Sequence, residues 1–161
     1  MKRLLSIICL ILVLCCAVSI FAACPSGGNQ SGGQNGSGDQ DDGNEVTSMK
    51  IIVGNKEFTA TLYDTAAAQA FAKLLPLTLN MSELHGNEKY NYMSTTLPTK
   101  TEHVGNINAG DIMLYGNDCI VLFYKSFATP YSYTKIGKID DVTGLQQAVG
   151  SGSVTVTFQA K

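Results

Sequence analysis

Arginine and tryptophan are the scarcest residues of this 161-residue chain: there is no tryptophan, and Arg3 is the only arginine. The lysines are scattered and form no basic cluster. Beyond residue 23, nine positive residues stand against thirteen acidic ones, so that part of the chain carries a net charge near −4. Proteins bind nucleic acid by neutralising phosphates with clustered Lys and Arg side chains. The composition therefore excludes a nucleic acid as a partner.

Cysteine is equally scarce in the part of the chain that can fold. Cys9, Cys15 and Cys16 lie in an apolar N-terminal run and Cys24 ends it, which leaves Cys119 alone. A single thiol cannot form an intramolecular disulfide, so no disulfide framework is expected. Cys119 stands in a short apolar run. It is predicted to be a buried strand residue rather than a nucleophile, because an unpaired cysteine packs as a small hydrophobe.

Motifs for catalysis, metal binding and cofactor binding are also missing. His85 and His103 are the only histidines, and neither has the spacing of a metal site, so both are expected at the surface. The Gly-Ser-Gly-Ser run at 150–153 lacks the pattern of a serine nucleophile elbow, and no Gly-rich phosphate loop occurs. The acidic run at 39–42 lacks the fixed Gly and final Glu of a calcium loop. We predict no catalytic residue, no metal site and no cofactor.

The N-terminus has the pattern of an export signal. Two basic residues precede a run without charged side chains over residues 4–23. Residues 21–24, Phe-Ala-Ala-Cys, resemble the lipobox of bacterial lipoproteins. The resemblance implies a signal peptide over residues 1–23, cleavage before Cys24 and a lipid on its thiol. An uncleaved anchor helix is the alternative, because about twenty apolar residues span a bilayer. Both interpretations place the chain at the cell membrane, with its folded domain on the extracytoplasmic side.

Residues 24–45 are predicted to be a disordered tether that starts at the lipidated cysteine. After Cys24 they consist almost entirely of Gly, Ser, Asn, Gln and Asp. Such side chains build no hydrophobic core. About twenty residues of this kind span roughly 25 Å as a flexible coil. The tether would hold a single folded domain, residues 46–161, away from the membrane surface.

Turn residues and alternating apolar positions predict mostly strands in residues 46–161. Two strand-like runs flank Gly54 and Asn55, a dipeptide suited to a tight hairpin because Gly accepts the positive φ of a primed turn. The remaining signals are a second hairpin that turns at 116–118, strand-like segments at 77–84 and 154–158, and a turn-rich stretch over 86–110. Short strands separated by Gly-rich turns are typical of a mainly β domain.

One clear helix is predicted over residues 66–75, capped by Asp64 or Thr65 and stopped by Pro76. A short second helix is expected within residues 140–149. Many short strands with one good helix favour a closed β-barrel, because closure removes the exposed edges of a sheet.

Three stretches carry a family resemblance: a helix ending in Leu-Leu-Pro at 64–76, the run Gly-Asp-Ile-Met-Leu-Tyr at 110–115, and the segment 122–139. In this order they resemble the bacterial cyclophilin-like proteins, a family of small β-barrels distinct from true cyclophilins. The resemblance covers about residues 49–160. It implies a mainly β fold, namely a closed cyclophilin-like β-barrel of about eight strands with one clear and one short helix.

The resemblance raises the question of peptidyl-prolyl isomerase activity. True cyclophilins use the Arg of a Phe-His-Arg motif as a donor to the prolyl nitrogen, and the chain lacks both this motif and any arginine beyond residue 3. A lysine does not replace the planar guanidinium fork. We therefore expect a peptide or small-ligand binding module without catalysis, whose partners are peptides or segments of exported proteins. The alternatives are an extracytoplasmic peptidyl-prolyl cis-trans isomerase that assists the folding of exported proteins, and a structural interaction domain.

Tyrosine is the one residue type whose enrichment suggests a site. Its side chain combines a rigid apolar face with a hydrogen-bonding tip, which suits ligand recognition at the mouth of a pocket. The segments around Tyr90, Tyr92, Tyr131 and Tyr133 are rich in Gly, Pro and Asn, so these residues are expected on exposed loops. We predict these four as ligand-binding residues. The alternative is that they are half-buried strand residues that serve only packing.

Overall fold

The computed structural model describes residues 47–161. The predicted signal peptide, the predicted lipidation site at Cys24 and the predicted tether lie outside the described residues. The strands, in chain order, are β1 (Ser48–Val53), β2 (Lys56–Leu62), β3 (Leu77–Leu84), β4 (Glu88–Tyr92), β5 (Glu102–His103), β6 (Asn106–Ile107), β7 (Asp111–Tyr115), β8 (Cys119–Phe123), β9 (Phe127–Ala128), β10 (Ser132–Ile139) and β11 (Val154–Ala160). Helix α1 (Ala66–Ala72) follows β2, and helix α2 (Leu145–Val149) precedes β11. Neither is long and apolar enough to cross a membrane.

Eight of these strands form a closed antiparallel barrel. Their order is β2-β1-β11-β3-β4-β8-β7-β10, and β10 returns to pair with β2, where Gly137 lies opposite Leu62. β5 extends the sheet beyond β10, and β6 pairs with β9 in a separate two-stranded sheet. The predicted closed barrel of about eight strands, with one clear and one short helix, is confirmed.

Both predicted hairpins are present. Val53 lies opposite Lys56 in the first, and Tyr115 lies opposite Cys119 in the second. Gly54 in the first turn has a φ of 60°, the positive value that a primed turn requires. The hairpin signals are reliable here because each depends on residues that are neighbours in the sequence.

Helix α1 begins where the sequence predicts and ends earlier. Thr65 caps it, and its side-chain oxygen accepts a hydrogen bond from the backbone N–H of Ala68 at 3.1 Å. The predicted end at residue 75 is wrong, because the helix ends at Ala72. The N–H of Leu75 donates to the carbonyl of Ala72, three residues back, at 3.2 Å. This tighter turn is expected where a proline follows, since the residue before a proline disfavours the α conformation.

Helix α2 is shorter than the predicted segment of residues 140–149. Gly144, directly before it, has a φ of 82°, in the left-handed region. That conformation interrupts a right-handed helix and is readily adopted only by glycine. Upstream, Asp141 accepts a hydrogen bond from the N–H of Thr143 at 2.9 Å and closes a local turn instead.

The stretch over residues 86–110, predicted to be rich in turns, contains strand β4. This strand pairs with β3 on one side and with β8 on the other, where Tyr90 lies opposite Val121. Its residues are Glu, Lys, Tyr, Asn and Tyr, so they lack the alternating apolar pattern that marks a strand. The pairing with β8 joins segments that are distant in sequence, which is why β4 was missed.

Side chains are buried on two sides of the sheet. Residues from seven of the barrel strands and both helices fill the interior, among them Ile51, Leu122 and Phe158. A second, outer cluster consists of Ile107, Met113, Cys119, Val121, Phe123 and Tyr133. Alternate residues of a strand point to opposite faces, which explains why all five residues of β8 are buried. The outer cluster forms the base of the site described next.

Candidate functional site

A groove of about 490 Å³ lies against the outer face of β4 and β8. Its volume is within the range of about 300–1,000 Å³ that is typical of ligand pockets. We call it the tyrosine groove, because five tyrosines line it: Tyr90, Tyr92, Tyr115, Tyr131 and Tyr133. Val121 and Phe127 add apolar surface between them. The barrel thus carries a partly apolar, aromatic concavity on its outside, separate from the packed interior.

All four tyrosines predicted from the sequence lie together in this groove. The fifth, Tyr115, was not in the predicted set. On the outer face Tyr92 lies opposite Cys119, and Cys119 lies opposite Tyr115, so three adjacent strands place these side chains in one row. The alternation in the second hairpin assigns Tyr115 to the same face as Cys119. The sequence does not show that β8 pairs with β4, and this pairing is what brings Tyr115 into one row with Tyr92.

The expectation that all four predicted tyrosines lie on exposed loops is wrong. Tyr90 and Tyr92 belong to β4, Tyr133 belongs to β10, and only Tyr131 lies in a loop. Tyr133 is just 5% exposed, whereas Tyr92 and Tyr131 are 63% and 58% exposed. Nearby Gly, Pro and Asn residues indicated loops, but pairing with β8 and β7 holds these segments as strands.

Two pairs of tyrosine rings in the groove stand nearly perpendicular, and a third pair, Tyr115 and Tyr133, is tilted at 55°. The rings of Tyr90 and Tyr92 are 6.0 Å apart with an interplanar angle of 84°, and those of Tyr115 and Tyr131 are 6.2 Å apart at 86°. Tyr115 also contacts Tyr133, at 5.7 Å between ring centroids. Such edge-to-face pairs are a favourable aromatic geometry. The rings of each pair line the groove beside one another.

The wall formed by residues 127–131 is held in place by backbone hydrogen bonds. β9 pairs with β6, with Phe127 opposite Ile107. The N–H of Thr129 donates to the carbonyl of Gly105 at 2.9 Å, and its side-chain oxygen accepts from the N–H of Tyr131 at 3.2 Å. These contacts fix the loop that carries the most exposed ring on this side of the groove.

One end of the groove carries hydrogen-bond acceptors. Glu88, on β4, lines it together with Asn87. Burial raises the pKa of Glu88 above its ordinary value, and the nearby His85 partly opposes the shift. The side-chain oxygen Oδ1 of Asn87 is buried and has no hydrogen-bond partner in the described part of the chain. The half-buried carboxylate of Glu88 is therefore available to a ligand at this end.

Cys119 lines the groove, but its thiol is unreactive. It is 3% exposed, which confirms the predicted buried strand residue. Burial raises the pKa of the Cys119 thiol to about 11, and the charges of Asp118 and Glu88 act in the same direction. Only the thiolate is a strong nucleophile, so the thiol is unreactive at neutral pH.

Neither lysine nor arginine is among the residues that line the tyrosine groove. Within residues 47–161, no group of three or more His, Cys, Asp or Glu side chains could hold a metal ion. His85 and His103 are exposed, as predicted. The groove is therefore lined by aromatic rings, the carboxylate of Glu88 and the imidazole of His85.

A second cavity of about 290 Å³ lies beside a buried ion pair inside the barrel. The fully buried Lys89 ammonium donates to Glu83 and to the carbonyl oxygens of Gly150 and Gly152, the latter two at 2.9 and 2.6 Å. Tyr124 donates its hydroxyl to Glu83 at 2.8 Å. Burial opposes ionisation of Glu83, but these hydrogen bonds leave its pKa lowered. All three ammonium protons have partners, so the network is structural.

Comparison with known protein families and structures assigns the chain to a family. No curated protein matches the sequence. Among solved structures, the solution structure of the hypothetical protein AF2241 from Archaeoglobus fulgidus is similar, with 18% sequence identity and a TM-score of 0.50. The match covers 73% of this chain and 96% of that one, and at such identity it shows the fold alone. The family model described as the Cyclophilin-like family matches residues 51–159, which is most of the chain and nearly all of the barrel. The chain belongs to the cyclophilin-like family.

Proposed function

We propose that this protein is a membrane-tethered, extracytoplasmic cyclophilin-like domain that binds a peptide segment in the tyrosine groove without catalysing a reaction. The observation that carries the proposal is the convergence of five tyrosines from β4, β7, β10 and the loop before β10 on one groove. Isolated exposed apolar side chains are ordinary on a protein surface, whereas a contiguous exposed set marks a binding surface.

The exposed rings suit a peptide ligand. Tyr92, Tyr131 and Tyr115 are 63%, 58% and 45% exposed, and they stand on strands and on a hydrogen-bonded loop. Tyrosine provides a large contact area with few rotatable bonds, so little conformational entropy is lost on binding. Its hydroxyl group can bond to the amide groups of an extended chain. The groove therefore combines apolar contact with hydrogen bonding.

The absence of arginine and lysine from the groove lining supports binding without turnover. The barrier to rotation about a peptide bond is about 18–20 kcal/mol, and a catalyst lowers it by stabilising the twisted amide. A donor to the prolyl nitrogen provides that stabilisation in true cyclophilins. In this groove the polar lining includes Glu88, Asn87 and His85 and contains no guanidinium or ammonium group.

The location rests on the N-terminal sequence. An uncharged run over residues 4–23 ends at Cys24, and a stretch rich in Gly, Ser and Asn separates it from the barrel. Metabolic labelling with a fatty-acid analogue tests the lipid anchor. Label is expected on the wild-type protein and not on Cys24→Ala, and equal labelling of the two would contradict the assignment.

Peptide selection followed by binding measurements tests the function. Random peptides are selected on the purified full-length protein, and their affinities are measured by fluorescence anisotropy. We expect saturable binding that Tyr131→Ala weakens about tenfold, as removal of an aromatic interface residue typically does. Val142→Ala is the matched control, because Val142 is an exposed apolar residue outside the groove (38% exposed). Failure to select any peptide, or equal affinities for both variants, would contradict the proposal.

A further inference from the structure

An unpaired carboxylate in the tyrosine groove indicates which kind of ligand the groove binds. Residues 47–161 contain four glutamates, and three of them form salt bridges with lysines: Glu57 with Lys50, Glu83 with Lys89, and Glu102 with Lys135. Glu88 is the fourth, and it forms neither a salt bridge nor a side-chain hydrogen bond within these residues. It is also the one carboxylate that lines the groove.

The surroundings of Glu88 disfavour its ionised form. It is half-buried on β4, opposite the buried Phe123, and burial raises its pKa. The charged groups near it are His85, which favours its ionised form, and Glu83, which disfavours it. A carboxylate removed from water without a partner costs free energy that a bound cation can offset.

The tyrosine rings of the groove also favour a cationic ligand. The face of an aromatic ring carries partial negative charge and attracts ammonium and guanidinium groups within about 6 Å of its centroid. In the tyrosine groove, Tyr90 and Tyr92 stand at 84° to each other, and Tyr115 and Tyr131 stand at 86°. The groove therefore brings aromatic rings and one carboxylate together, and both attract an organic cation. No lysine or arginine of the groove itself occupies these faces.

We propose that the tyrosine groove recognises a basic side chain of its peptide ligand, with the apolar stem against the tyrosine faces and the cationic end at Glu88. The inference rests on the proposed peptide-binding function and names the chemical class that the site selects. It predicts a preference for lysine over an uncharged residue of equal length at one position of the bound peptide.

Two blocked, fluorescently labelled peptides test the preference on the full-length protein. They are Ala-Lys-Pro-Ala and its counterpart with norleucine in place of lysine, which keeps the stem and removes the charge. We expect the lysine peptide to bind roughly tenfold more tightly, as a cation held by aromatic faces and a carboxylate requires. Equal affinities, or no binding of the lysine peptide, would overturn the inference. The random-peptide selection would still decide the binding function separately.

A charge-neutral variant locates the preference. Glu88→Gln is expected to reduce the affinity for the lysine peptide to that for the norleucine peptide. Glu57→Gln is the matched control, because Glu57 lies on β2 outside the groove, and it is expected to retain the preference. Circular dichroism verifies that both variants are folded. A lysine preference that survives in folded Glu88→Gln would exclude Glu88 as the recognising group.

Discussion

Glu88 and Cys119 line the same groove from neighbouring strands, and only the burial of Cys119 followed from the sequence. Cys119 stands in an apolar run, and the burial predicted from that run is confirmed. Glu88 is followed by Lys89 and Tyr90, a local pattern that resembles a solvated surface. Its partial burial depends on β8, which is distant in sequence and invisible to a local pattern.

The pH dependence of stability should show the cost of burying Glu88. Its folded-state pKa is raised above the ordinary value of 4.5, so folding favours the protonated form. The corresponding stability is fully present below the unfolded pKa and is lost as the pH rises through the folded pKa. Glu88→Gln should therefore leave the urea midpoint nearly unchanged around pH 3.5 and raise it at about pH 7.5. A midpoint that is not raised at the higher pH would contradict the assigned shift.

Among the elements, those defined by local chemistry were predictable and those defined by distant pairing were not. The hairpin at Gly54 and the cap at Thr65 depend on adjacent residues, and both are present as predicted. Strand β4 was missed because its sequence, Glu-Lys-Tyr-Asn-Tyr, has no strand-like apolar pattern. Its pairing with β3 and β8 holds it in an extended conformation. The four predicted tyrosines lie in one groove, although three of them are on strands rather than loops, and their role in ligand binding stays a prediction.

Lys89 connects β4 to β3 and to the segment before β11, and its removal should be costly. Lys89→Met would leave the carbonyl oxygens of Gly150 and Gly152 without their donor and Glu83 without its cation. Breaking a buried pair on one side typically costs about 3–5 kcal/mol of unfolding free energy. Lys50→Met breaks an exposed pair with Glu57 and should cost less than about 1 kcal/mol.

Urea denaturation of the two lysine variants measures the difference. The two substitutions are chemically identical and differ in the burial of the site, with side-chain exposures of 0% for Lys89 and 38% for Lys50. Equal losses of stability in the two variants would show that the buried network stabilises the barrel no more than an exposed ion pair does.

The whole molecule depends on closure of the barrel. β10 completes it by pairing with β2 beside β7, and this arrangement gives β7, β8 and β10 one face toward the interior and one toward the outer cluster. The apolar runs of β7 and β8 agree with burial on both faces. A barrel was predictable from the number of short strands, whereas the position of the groove on its outside required the strand order.

Gly137 sits at the closure and should not tolerate a side chain. A Cβ atom there would lie 2.5 Å from the carbonyl oxygen of Thr61 on β2, so the backbone would have to move. Gly137→Ala is expected to lower the free energy of unfolding by about 1–3 kcal/mol, the usual cost of overpacking. Gly152→Ala, where a Cβ meets nothing within 4 Å, is the control and should change stability little. Similar urea midpoints for the two variants would contradict a tight closure.

Binding without turnover at the tyrosine groove is tested most directly by exchange NMR spectroscopy of a proline-containing peptide mixed with the full-length protein. One experiment reports both properties, because uncatalysed prolyl isomerisation takes tens to hundreds of seconds and produces no exchange cross-peaks within about a second. We predict saturable shifts of the peptide resonances, weakened in Tyr131→Ala, with no cross-peaks between cis and trans forms until a true cyclophilin is added. Cross-peaks produced by this protein alone, or peptide resonances that do not respond to it, would contradict binding without catalysis.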